Sequence, residues 1–141
     1  LIEYLIQRAR SWVFSTAPPP AIAAAARAAL RIVQSEPERR ARLVKNIARF
    51  RTGAEQLGIA LGPPPASRLP PPVLTPIQPL ILGDEGRALA LSQHLFERGY
   101  WVAAIRPPTV PKGTARLRIT MSASHSESQI DGLLGVLAEG R

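Results

Sequence analysis

The sequence predicts an α+β fold, in which a layer of helices packs on a small, mainly antiparallel sheet. Three observations lead there. Apolar side chains recur at helical spacing over 21–34, 43–57, 84–98 and 126–137, and short apolar or alternating runs at 77–82, 100–105 and 116–120 read as strands. The resulting order is helix, helix, helix, strand, helix, strand, strand, helix. With 141 residues and 45% apolar side chains, the chain is about one domain long and can supply a core.

Each element has local reasons. Leu1 to about Arg10 reads as the end of a helix with Leu1, Ile2, Leu5 and Ile6 on its apolar side, and a loop is expected from Ser11 to Ala17. Pro18, Pro19 and Pro20 precede an alanine-rich helix from Ala21 to Gln34, whose stripe is Ile22, Ala26, Ala29, Leu30 and Val33. Ser35 and Glu38 have capping-box spacing, so the next helix is expected to begin there, to turn Leu43, Ile47, Phe50, Ala54 and Leu57 inward, and to stop at Gly58. Leu61 to Pro76 holds seven prolines, which rule out a helix or a central strand, and it reads as a connecting loop. Ile77 to Leu82 reads as a buried strand. Asp84 can cap a helix running to about Arg98, with Ala88, Leu91, Leu95 and Phe96 inward and Gly99 at its end. Tyr100 to Ile105 and Arg116 to Thr120 are the other strands, and Ser126 with Gln129 caps a last helix bearing Ile130, Leu133, Leu134 and Leu137.

The stretch from Ile105 to Thr120 is the most informative for function. Alternation along Arg116-Leu117-Arg118-Ile119-Thr120 sends Leu117 and Ile119 one way and Arg116, Arg118 and Thr120 the other, giving one buried and one cationic face. Ahead of it, Pro107, Pro108 and Pro111 restrict the backbone that carries Arg106 and Thr109, and Gly113 frees it locally. Arginine's planar fork suits a carboxylate or phosphate better than a lysine does.

Composition narrows the alternatives. The net charge of +8 comes from 16 arginines and two lysines, but acids interleave the helical arginines and aromatic residues amount to 5%, too few for a base-stacking platform. A solvated helix face accounts for the pattern, and no nucleic-acid partner is expected. No apolar run reaches bilayer length and the N-terminus lacks a signal pattern, so no membrane association and a cytoplasmic location are expected. The absence of cysteine excludes disulfides and thiolate chemistry. His94 and His125 have no companion at ligand spacing, so no metal site is expected; His125 reads as a polar residue before the last helix rather than a general base. Leu1 falls inside a helical pattern and is not a methionine, which points to a natural chain that extends upstream.

The 105–120 stretch, with Leu1 to Arg10, Phe14 to Pro19, Glu36 to Arg40, Pro76 to Leu80 and Ser122 to His125, resembles the C-terminal third of the 8-amino-7-oxononanoate synthases. These belong to the α-oxoamine synthase family of pyridoxal-phosphate enzymes, and the pieces occur in the family's order. The resemblance implies a fold-type-I enzyme: residues 1–35 ending its large cofactor domain, 36–141 forming its C-terminal small domain. It also implies a homodimer that uses pyridoxal 5'-phosphate to condense L-alanine with a pimeloyl thioester of CoA or acyl-carrier protein, in biotin biosynthesis.

Residue by residue, the resemblance gives Arg118 the role of holding the amino-acid carboxylate and gives Thr109 a substrate contact. Arg106 lies close enough to assist through its charge, although an ion-pair or packing role fits equally. Arg116 shares the face but receives no such role, so a structural one is expected. In Phe14 to Pro19 the family uses a hydroxyl to bind the cofactor phosphate of the neighbouring subunit; Thr16 is the first choice and Ser15 the second, with an ordinary helix cap as the other reading. Neither Lys45 nor Lys112 matches the lysine that holds the cofactor, so this chain is expected to lack that group and to be inactive alone. Two alternatives stay open: a related glycine or serine C-acyltransferase, and a non-catalytic basic binding module.

Overall fold

The structure, a computed structural model, describes residues 1–13, 16–17, 19–62 and 75–140. It divides into two compact units, Leu1–Pro37 and Glu38–Arg141. Most of the proline-rich connection lies outside the described residues.

The first unit holds α1 (Ile2–Arg8), α2 (Arg10–Val13) and α3 (Pro20–Ser35). The helix expected through Arg10 stops earlier. Ala9 turns extended, with ψ at 111°, and donates its N–H to the Leu5 carbonyl, closing α1. A separate turn, α2, then forms where a loop was expected, with the Val13 N–H reaching the Ala9 carbonyl. Pro20 opens α3, where its missing N–H leaves no bond unmade. Ile22, Leu30 and Val33 on the α3 stripe are exposed.

Ser35 does not cap the next helix. It is the last residue of α3, and its hydroxyl donates back to the Arg31 carbonyl at 2.8 Å. That local bond competes with capping, so the predicted box with Glu38 is absent and the next helix begins at Pro37.

The second unit contains α4 (Pro37–Gln56), β1 (Ile77–Gly83), α5 (Glu85–Glu97), β2 (Ala103–Ile105), β3 (Ala115–Thr120) and α6 (Glu127–Glu139). The three strands lie in the order β1-β3-β2, and both pairings are antiparallel. Leu80, Leu117 and Ile119 on the inner face join one core with Ile47 and Phe50 of α4, Leu91 and Leu95 of α5, and Ile130, Leu134 and Leu137 of α6. The predicted caps of α5 and α6 form: Asp84 accepts the Arg87 N–H, and Ser126 and Gln129 make a reciprocal capping box.

Three expectations fail here. Leu57, expected to face inward, follows the end of α4 at Gln56 and is 43% exposed. Phe96 is 61% exposed, because Leu91, Leu95 and Ala88 already fill the inward stripe of α5. The second strand starts at Ala103 rather than Tyr100. The Tyr100 N–H is spent on the Leu95 carbonyl at 2.8 Å and the Val102 carbonyl accepts the Ser92 hydroxyl at 2.6 Å, so both groups serve α5 and are lost to the ladder.

Polar contacts lock α4 in place. Buried Asn46 donates to the carbonyls of Ser122 and His125, each at 2.9 Å, fixing the loop between β3 and α6. Arg49 forks onto Asp131 and also reaches Glu127, which accepts from Lys45 as well. The hydrogen bond from Arg49 holds the Asp131 carboxyl below its ordinary range, and the bond from Lys45, helped by the Arg49 charge, does the same for Glu127.

Candidate functional site

The candidate site residue Arg118 lies on β3, the central strand of the sheet. Leu117 and Ile119 are buried and Arg118 and Thr120 are exposed, while Arg116 is half-buried. The register places Pro79 of β1 and Ala103 of β2 on either side of Arg118, and Ile81 and Ile105 on either side of Arg116. Directly opposed residues share a face. The outer face is therefore Ile77, Pro79, Ile81, Arg116, Arg118, Thr120, Ala103 and Ile105, with no carboxylate among them.

A proline inside β1 is tolerated for a definite reason. The Pro79 carbonyl accepts the Gly62 N–H at 2.8 Å, so the backbone polar groups of Pro79 point toward the sheet edge and the missing N–H removes no bond to β3. Pro79 and Arg118 are then a non-hydrogen-bonded pair, with Cα atoms about 4.5 Å apart. The proline ring and the Ala103 methyl offer Arg118 no competing polar group. Among the described residues its guanidinium has no hydrogen-bond or ion-pair partner, and its positive end is available to a ligand.

The segment joining β2 to β3 is held by its own backbone. Pro107–Pro108 is a cis peptide, the Thr109 N–H reaches the Arg106 carbonyl at 3.1 Å, and Gly113 takes a φ of +76° that favours glycine. Thr114 bonds the Pro111 carbonyl through both its N–H, at 3.2 Å, and its hydroxyl, at 2.7 Å. Thr109 and Arg106 are exposed, and among the described residues the Thr109 hydroxyl and the Arg106 guanidinium have no partner. Arg106 directly follows Ile105, the cross-strand neighbour of Arg116, so the turn stands at the Arg116 end of the cationic face. Arg116 is held locally: its Nε donates to the Thr114 carbonyl at 2.9 Å.

Thr16 belongs to the first unit and is exposed; Ser15 lies outside the described residues. The ordinary-cap reading does not hold for Thr16, since Pro19 occupies the N-cap of α3 and no side chain caps it. Its hydroxyl has no partner among the described residues. The lysines do not fit a cofactor-holding role: the Lys45 Nζ lies 2.7 Å from Glu127 on an exposed surface, and Lys112 sits exposed in the turn before Gly113.

His125 takes a structural place, whereas the buried Nε2 of His94 has no hydrogen-bond partner among the described residues. His125 Nδ1 accepts the Ser122 N–H at 3.2 Å. His94 lines a cavity of about 590 Å³ with Ile59, Leu80, Leu91 and Leu137, and none of Arg106, Thr109, Arg116 or Arg118 borders it. No group of metal-ligating residues occurs among the described residues, and no helix there is long and apolar enough to cross a membrane. Two polar groups were missed at the sequence level. Asn46 is one; the other is Gln78, fully buried on the inner face, which accepts from Arg51 at 2.7 Å and donates to the Thr75 carbonyl at 2.7 Å. Gln78 alternates with the outward Ile77 and Pro79, which is the signal that placed it inside.

Comparison with known proteins identifies the family. The chain is 58% identical over 139 residues to the 8-amino-7-oxononanoate synthase of Methylococcus capsulatus, covering 99% of this chain and 34% of that protein. Its fold matches that of a serine palmitoyltransferase solved with PLP, at a TM-score of 0.86 and 28% identity, over 99% of this chain and 33% of the other. It also matches the 8-amino-7-oxononanoate synthase of Francisella tularensis, at a TM-score of 0.75 and 30% identity, over 98% and 38%. The chain thus spans about a third of the length of the relatives it matches. The family model for class I and II aminotransferases covers residues 1–137, which takes in the cationic strand, the proline turn and all three helices of the first unit, and the chain belongs to that family.

Proposed function

We propose that this chain is the substrate-side portion of a pyridoxal-phosphate-dependent C-acyltransferase that condenses L-alanine with a pimeloyl thioester, giving 8-amino-7-oxononanoate. The observation that carries the reading is the unpartnered Arg118 at the centre of a sheet face without carboxylates, on the strand that follows the turn carrying Thr109 and Arg106. The 58% identity to a named 8-amino-7-oxononanoate synthase favours alanine and a pimeloyl donor over the serine chemistry of the more distant structural neighbours.

In this mechanism Arg118 takes the amino-acid carboxylate in its fork and fixes the carboxylate plane, which orients the Cα–H bond. Thr109 supplies one hydrogen bond to the substrate, and Arg106 adds positive charge at the turn. Thr16 contacts the cofactor phosphate of a neighbouring subunit, which makes the working form a homodimer. Pyridoxal phosphate supplies the electron sink that stabilises charge at the substrate Cα. The lysine that holds it comes from a part of the enzyme outside this chain, which supports inactivity of these residues alone. The domain division follows: 1–35 ends the large cofactor domain and 36–141 forms the small domain, in a cytoplasmic enzyme.

The test is turnover by the complete enzyme with pyridoxal phosphate and pimeloyl thioester, comparing alanine, glycine and serine by product mass and kcat/KM. Alanine is expected to lead. A higher kcat/KM for glycine or serine would establish the related acyltransferase instead, and no turnover with any of them would return the chain to a basic binding module.

A further inference from the structure

We propose that Arg116 is a second anion site on the outer sheet face and receives the distal carboxylate of a dicarboxylic acyl substrate. This rests on the reading above that the acyl donor is a pimeloyl thioester. Arg116 stands two residues from Arg118 on the same face of β3, about 7 Å along the strand. The amino-acid carboxylate and a second anion can therefore be held side by side without sharing a guanidinium.

The surroundings of the two arginines differ in a way that assigns them different ligands. Arg118 lies between Pro79 and Ala103, whereas Arg116 lies between Ile81 and Ile105. Two branched aliphatic side chains flanking a cation suit a methylene chain that ends in a carboxylate. Ile81 is 43% exposed, and its Cδ1 lies against Gly62 at the outer edge of β1. Arg116 is also preoriented: its Nε bond to the Thr114 carbonyl, at 2.9 Å, rests on a turn that Thr114 ties twice to Pro111. Among the described residues, its two terminal nitrogens have no partner. A guanidinium held through Nε with its outer edge free is placed to accept a carboxylate there. A neutral chain end would cover the cation without pairing it, so the same residue discriminates against simple fatty acyl donors.

The complete enzyme tests this with pimeloyl thioester and its distal methyl ester as paired acyl donors, alanine saturating. The free acid is expected to be preferred by the unaltered enzyme. In Arg116→Gln that preference, as a ratio of kcat/KM values, should fall on the order of ten- to a hundredfold, mainly through KM for the thioester, and Arg116→Lys should recover part of it. Ile81→Glu, at an exposed position, places a carboxylate beside Arg116 and should lower the same ratio without touching the Thr114 bond. An acid-to-ester preference in Arg116→Gln and Ile81→Glu equal to that of the unaltered enzyme overturns the assignment while leaving the proposed reaction standing. No thioester-dependent turnover of alanine by the unaltered enzyme overturns both.

Discussion

Replacing Arg118 separates its charge from its shape. Arg118→Lys keeps the positive charge but loses the two-pronged geometry, and Arg118→Ala loses both. The fold should tolerate either change, because the side chain is exposed and makes no hydrogen bond among the described residues, while Leu117 and Ile119 anchor β3 from the other side. A charge-assisted bond to a carboxylate contributes roughly 1.5–3 kcal/mol, and each 1.4 kcal/mol is about tenfold, so one lost bond costs about ten- to a hundred-and-fifty-fold. The second prong adds to this, and the open sheet face screens part of it. The alanine variant should therefore lose on the order of ten- to a few-hundred-fold in kcat/KM for the amino acid, with the lysine variant between it and the unaltered enzyme. Steady-state kinetics of the complete enzyme, with alanine varied at saturating thioester, measures this directly. Cofactor absorbance should persist in both variants. An unchanged kcat/KM for alanine would reduce Arg118 to a surface residue, and the same loss from Arg116→Ala would show that the amino-acid carboxylate binds the wrong arginine for this scheme.

Two further outcomes concern the frame around the site. Asn46→Ala strips the carbonyls of Ser122 and His125 of their donor and should destabilise the second unit by about 1–3 kcal/mol, read from the urea midpoint; a midpoint equal to the unaltered protein's would mean that water replaces the amide without cost. The clasp between α4 and α6 should depend on pH in one direction only. The folded-state values of Asp131 and Glu127 are depressed, so their stabilisation is full above the ordinary carboxylate values of 3.8 and 4.5 and is lost as pH falls through the lower folded values. Stability measured from neutral pH downward should hold to about pH 5 and then decline, and Asp131→Asn should flatten part of that decline. A decline of the same size in Asp131→Asn would place the acid sensitivity elsewhere.

Local patterns were enough to read much of this chain. The alternation in Arg116 to Thr120 assigned Leu117 and Ile119 to the core and Arg118 to the outer face, since side chains on a strand must alternate whatever lies beside it. The caps at Asp84 and at Ser126 with Gln129 were legible because each involves residues within one turn of the other. The likeness of the proline turn and strand to a known family was visible in the residues themselves. Tertiary structure decided what depends on distant partners. Ser35 has the spacing of a cap and still bonds backward to Arg31; Phe96 has an apolar side chain and faces solvent; Tyr100 to Val102 has strand character and spends its backbone groups on α5. Nothing local marked Asn46 as the tie to the loop before α6. Alternation put Arg116 and Arg118 on one face without telling their surroundings apart. Only the order β1-β3-β2 and its register set Arg118 between Pro79 and Ala103 and Arg116 between two isoleucines, because the neighbours of a side chain on a sheet come from strands remote in sequence.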